Sequence, residues 1–221
     1  GGSVEIDTSV VIGNAADPVN GRGGGMYLTS ACTGELDFAT VDSNTAAYGG
    51  GVHTEVGADV IGIHAAILRN SASRHGGGLH LTGGQSVLVN STVSGNQADR
   101  NGGGVYLGDS VASLELCNVT VSDNTADADG DDDGGGGGIA NPSATVKLRN
   151  SIVAGNDDPC SLNPPLCAYA PDCSGNLTSR AHNIIGLDNF CTTSGDTTGD
   201  QVGTIVTPLD AGLEPLTDSG I

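Results

Sequence analysis

The chain has 221 residues, 37 of them glycine, with seven basic and 26 acidic side chains and a net charge of −19. That charge excludes a nucleic-acid binder, which needs a basic footprint, and it opposes docking on an anionic membrane surface. Two Phe, four Tyr, one Met and no Trp exclude a conventional core of large side chains, and 21 Asp against five Glu favour turns over helix.

The chain opens in strand-like sequence at Gly1-Gly2-Ser3-Val4. It reads as a processed piece whose first coil is uncapped. Glycine triplets then recur at 23–25, 49–51, 76–78 and 102–104, in steps of 26, 27 and 26 residues, and a fifth ends at Gly138. Each precedes a short apolar run such as Met26-Tyr27-Leu28 or Val105-Tyr106-Leu107. In phase with them, an aliphatic residue stands three before an Asn six times: Val11/Asn14, Val41/Asn44, Ile67/Asn70, Val93/Asn96, Val121/Asn124 and Val153/Asn156. A period near 26 holds three short strands and three turns. The fold class is therefore all-β: a right-handed, single-stranded parallel β-helix with the aliphatic positions stacked inside. The Asn positions are expected to form a turn ladder of amides. Domain organisation follows: about six coils over 1–156, then a Cys- and Pro-rich cap and irregular tail over 157–221 that continues the solenoid.

The repeats 90–96, 102–107 and 150–156 resemble those of bacterial surface β-helix proteins of the chlamydial polymorphic outer-membrane-protein type, with Val or Ile in place of the aromatic residue. Asp172-Cys173-Ser174-Gly175, residues 182–186 and residues 213–220 resemble the choice-of-anchor Q domain. The resemblance implies a parallel β-helix, export and an extracellular or cell-surface role, and it implies no reaction.

Several candidate sites follow. Asp127, Asp129, Asp131, Asp132 and Asp133 crowd one insertion and resemble the first half of a calcium loop; a solvated acidic loop is the alternative. Arg69, Arg74 and Arg100 fall in turn segments and Lys147 and Arg149 flank Leu148, so none is expected beside an Asp cluster in the same coil position. Tyr27, His53, His80 and Tyr106 hold one position in four successive coils and are expected to form an outward ladder. Such a ladder can contact carbohydrate or only stabilise the sheet. His53 and His80 offer two metal-ligand positions without a third. Asp37 has Ile63, Val89, Cys117 and Arg149 as equivalents in later coils, so no acid pair of the kind a hydrolase needs is expected.

Cys173 with Cys191, and Cys160 with Cys167, are the first choice of disulfides, the two other pairings of the four remaining open. Cys32 and Cys117 lie too far apart to be bridged. Asn90, Asn118 and Asn176 head glycosylation sequons. The leading reading is a non-catalytic structural or adhesive module. The alternatives are a subunit of an end-to-end filament, glycosylated at those sequons and docked at its N-terminal end on other copies or the rest of a longer chain, and a β-helix that binds or cleaves polysaccharide.

Overall fold

A computed structural model describes residues 1–159 and 169–214. Among them there is no α-helix, and no helix is long and apolar enough to cross a membrane. Every strand pairing is parallel, and the strands stack coil upon coil as a parallel β-helix.

Each regular coil begins with a five-residue strand on a first wall, as in Thr33–Asp37, Asp59–Ile63, Gln85–Val89 and Ser113–Cys117. A corner residue with positive φ turns the chain; the series is Thr8, Phe38, His64, Asn90, Asn118 and Asn150. Asn tolerates this left-handed conformation better than most residues, which explains its recurrence there. The second wall follows, with eight strands from Val10–Ile12 to Gln201–Val202. Six of them end by Val153, and two, Ile184–Ile185 and Gln201–Val202, lie beyond. A second positive-φ corner and an Asn lead to a third wall, seen as Thr45–Tyr48, Ser71–His75 and Gln97–Ala98. The glycine triplet then swings the chain into a fourth wall: Met26–Leu28, Val52–Thr54, Leu79–Leu81 and Val105–Leu107. The 11-residue strand Ile139–Arg149 spans the first and fourth walls and joins them into one sheet.

The core is a set of side-chain columns. On the second wall Val41, Ile67, Val93, Val121, Val153 and Ile185 are fully buried and pair in register, with Val11 packed against the end of the column. On the first wall Leu36, Leu88, Leu116 and Leu148 form the neighbouring column. Its gap at Gly62 is filled by Leu88, whose Cδ2 lies 2.5 Å from where a Cβ would stand. Small aliphatic side chains suit this narrow lumen, and burying each stabilises the rod by about 1.5–3 kcal/mol.

The asparagines line the turn. Asn14 Nδ2 donates to Asn44 Oδ1, Asn44 to Asn70, Asn70 to Asn96, Asn96 to Asn124 and Asn124 to Asn156, at 2.8–3.0 Å. Each amide from Asn44 onward also donates to the carbonyl of a column residue in the preceding coil, as Asn96 does to Ile67 at 2.9 Å. The ladder ends where Asn156 donates to Asp172 Oδ1 at 2.9 Å. Burial raises the Asp172 carboxyl above its usual range, against the pull of these donors.

Candidate functional site

Tyr27, His53, His80 and Tyr106 are register partners on the fourth wall. They alternate with lumen-facing Met26, Val52, Leu79 and Val105, so their side chains leave the opposite face of the sheet. The two middle rungs are nonetheless covered: His53 is 2% exposed and His80 5%. The cover is a second column that the sequence reading missed. Arg22, Tyr48, His75 and Asn101 each stand directly before a glycine triplet. Arg22 pairs with Tyr48 and Tyr48 with His75 across adjacent coils. The triplet folds the chain sharply enough for this column to lie against the first. Its signal was present in the sequence as one polar or aromatic residue ahead of each triplet.

The rings of the two columns contact one another. Tyr48 stacks on His80 with centroids 5.4 Å apart, and His75 stacks on Tyr106 at 4.6 Å. His53 and His80 meet edge-on at 4.7 Å, and Arg74 lies over the Tyr48 ring at 5.7 Å. The aromatic faces are therefore largely spent on one another, and the flat sugar platform that an exposed ladder would offer is confined to Tyr27, which is exposed.

His53 Nδ1 and His80 Nδ1 are 3.1 Å apart. One ring must carry a proton there and the other a lone pair. Burial, reinforced by Arg22, lowers the His53 pKa to about 4. Burial with nearby Arg100 and Arg74 lowers His75 to about 4, and burial with its histidine neighbours holds His80 well below its ordinary value. All three are neutral near pH 7. The Nε2 of His53 is buried without a hydrogen-bond partner among the described residues, which costs about 1–3 kcal/mol.

This floor opens into a groove of about 570 Å³ lined by Asn20, Arg22, Ser30, Tyr48, His53, Glu55, Val56, His80 and Thr82. Arg22 Nη1 pairs with Glu55 Oε1 at 3.1 Å, and the Tyr27 hydroxyl donates to the same oxygen. The Tyr27 hydrogen bond, with Arg22, keeps the Glu55 carboxyl below its usual range.

The other candidates fall elsewhere. Asp127, Asp129 and Asp131 bring carboxylate oxygens within 4.8 Å of one another and are the residues that could hold a cation. Asp132 uses its backbone N–H to bond Asp127 at 3.1 Å, and Asp133 pairs with Arg100 at 3.4 Å. The expectation that no basic residue stands beside the cluster is thus corrected: the insertion folds back on the preceding coil, where the Asp127 N–H donates to Arg100 O at 3.0 Å. Nearby Asp158 is buried, and that burial pushes its pKa up to about 6.

A second correction concerns Asp37. Its register partner in the preceding coil is Asp7, and Glu5 pairs likewise with Glu35. An acid pair does form, because Ser3–Asp7 supplies a rung before Asp37; the next rung is Ile63.

Cys173 and Cys191 form a disulfide between adjacent coils, while Cys32 and Cys117 are free thiols. Cys160 and Cys167 lie outside the described residues. Asn90, Asn118 and Asn176 are exposed. The first two belong to a second amide ladder, Asn150 to Asn118 at 2.7 Å and Asn118 to Asn90 at 2.9 Å. Ser91 and Thr92, and Val119 and Thr120, follow simply as the entry to the second wall.

Residues 90–108 match the sequence profile of the Chlamydia polymorphic membrane protein repeat. The matched segment holds one corner Asn, the Asn96 rung, one glycine triplet and one fourth-wall strand. No curated protein and no solved structure matches the chain significantly. The repeat match supports, at a coarse level, a bacterial surface-associated repeat protein.

Proposed function

We propose that the chain is a non-catalytic structural or adhesive β-helix module of a secreted or cell-surface bacterial protein. The observation that carries this reading is the unbroken amide ladder from Asn14 to Asp172. It locks successive coils at the ~4.8 Å strand spacing and makes the rod stiff along its axis. Stiffness of that kind suits a spacer that presents its outer walls at a distance from the cell. The membrane-protein repeat match over residues 90–108 supports the same setting at a coarse level.

The carboxylates do not favour turnover. Asp7 and Asp37 form a pair, but Ile63 ends their column, and Glu55, the carboxylate that shares the groove with His53 and His80, is engaged by Arg22 and the Tyr27 hydroxyl. Purified chain incubated with acidic and neutral polysaccharides should release no new reducing ends and no unsaturated products, while labelled chain should be retained on the surfaces it meets. Sustained product release that is lost in an Asp37→Asn variant would overturn the non-catalytic reading.

A further inference from the structure

We propose that the outer face of the first wall docks on the same face of a second copy of this chain, with the two rods antiparallel. This goes beyond the reading above and does not depend on where the chain is displayed.

Strand alternation turns two central residues of each coil outward on this wall, and the register stacks them along the rod. The first two coils present acids: Glu5 stands in register with Glu35, and Asp7 with Asp37. The next two present aliphatic residues, Ile61 with Val87 and Ile63 with Val89. Farther along come bases. Lys147 and Arg149 lie on the strand Ile139–Arg149, and Arg180 follows Ser179, the register partner of Leu148. Three of the chain's seven basic side chains thus gather at one end of a wall whose other end is acidic.

These charges have little to satisfy them within the chain. Arg180 meets Glu115 at 3.7 Å. Among the described residues no ion pair involves Glu5, Asp7, Glu35, Asp37, Lys147 or Arg149. Like charges in direct register repel one another, so the acidic end gains from cations brought by a partner. Between the two ends Ile63 is exposed, as is Phe38 at the wall's corner, while Ile61, Val87 and Val89 are half-buried. An apolar patch rimmed by charge is the mark of an interaction surface.

A two-fold axis lying in the wall, along the strand that carries Val87 and Val89, brings the complementary zones together. Val87 and Val89 meet their own counterparts, Glu35 and Asp37 face Lys147 and Arg149, and Asp7 faces Arg180. Both copies use the same patch, so the contact closes as a dimer. At ~4.8 Å per coil and ~3.3 Å per residue the wall measures about 30 Å by about 16 Å. The dimer therefore buries on the order of 1,000 Å², the low end for a specific interface, and its charge pairs make it salt-sensitive.

The test is sedimentation velocity of the full chain over a concentration series. A reversible dimer is expected at about 0.1 M salt, weakened at least about tenfold at about 1 M, where the screening length falls from ~10 Å to ~3 Å. The double variant Lys147→Glu/Arg149→Glu should be monomeric, and so should Glu35→Lys/Asp37→Arg. An equimolar mixture of the two should form a heterodimer, because both acidic ends of the first then face both basic ends of the second. Melting curves check the folding of each variant, and Arg149→Glu with Glu35→Lys repeats the experiment if a double variant fails to fold. A monomeric parent at every concentration, association unchanged in either variant, or a mixture that stays monomeric would overturn the proposal.

Discussion

Gly104 packs directly on the side-chain amide of Asn124: a Cβ at Gly104 would stand 3.0 Å from Asn124 Cγ and 3.1 Å from Nδ2. Gly25 and Asn44, Gly51 and Asn70, Gly78 and Asn96, and Gly138 and Asn156 repeat the relation. The third glycine of each triplet and the ladder asparagine are therefore one device. Gly104→Ala should destabilise the fold by about 1–3 kcal/mol through overpacking. Asn124→Ala should cost about 1–3 kcal/mol for each buried donor of Asn96 that it orphans. Combined, the two changes should cost somewhat less than their sum, because the smaller side chain at 124 removes the contact with Asn124 while the closer clash of the methyl with Gly138 O, at 2.6 Å, stays. Urea denaturation of the double-mutant cycle checks this; strict additivity would mean that the contact is incidental.

The aliphatic columns give a second expectation. Ile67 is fully buried between Val41 and Val93. Ile67→Ala should lose about 2–5 kcal/mol, and Val93→Asp, which buries an unpaired charge, should prevent folding altogether. A circular dichroism melt near the parent's for either variant would contradict the packing described.

The ladders were legible in the sequence because geometry forces one residue type at each rung. A side-chain amide donates to the next Asn while accepting from the previous one, and glycine packs on it, so Asn96 with Gly78 and Asn124 with Gly104 recur in phase along the chain. The groove was not legible to the same degree. Arg22, Tyr48, His75 and Asn101 share a position but not a chemistry, and Glu55 comes from a turn outside the repeat signature. The outward direction of His53 and His80 followed from strand alternation, while their burial depended on this second column. Asp172 escaped notice as the end of the ladder because it is a carboxylate 16 residues after Asn156, where earlier rungs are 26 to 32 apart. Asp7 stands before the first glycine triplet, outside the regular repeat that carries Asp37 and its later equivalents, so the pair shows only in the strand register.

Acid should weaken the fold through the histidines. Unfolded His53 protonates near 6.5 and the folded residue near 4, so the unfolded chain binds more protons between those values. The stability is fully present above pH 6.5 and is lost as pH falls through 4, by about 3 kcal/mol for His53 alone. His75 and His80 act in the same direction. Urea midpoints of the parent and His53→Gln, compared at pH 7 and pH 4.5, should converge as the pH falls; parallel curves would contradict the assignment.

Asp158 has the opposite sign. Burial raises its folded pKa from 3.8 to about 6, so its contribution to stability is present below 3.8 and lost as pH rises through 6. Asp158→Asn keeps an acceptor for the Ala170 N–H, which now bonds Asp158 Oδ2 at 2.7 Å. The variant should melt higher than the parent at pH 7.5, with a gain of about 1–3 kcal/mol, and the gain should vanish near pH 4. A gain independent of pH would point to packing rather than charge.

The disulfide ties adjacent coils with a separation of 18 residues. Replacing Cys173 and Cys191 by Ser together should cost about 3 kcal/mol. Hydrogen exchange should rise first around Cys191–Asp196 and leave the coils near Val93 protected. Uniform loss of protection would mean that the rod unfolds as one unit.

The central claim, a stiff module displayed at the bacterial surface, is tested most directly on intact cells of the producing bacterium. Antibodies raised against the purified 221-residue chain should label unpermeabilised cells or the material they secrete, and an externally added protease should abolish the cell-bound signal. Labelling that appears only after lysis, with the chain protected from external protease and absent from the medium, would contradict it.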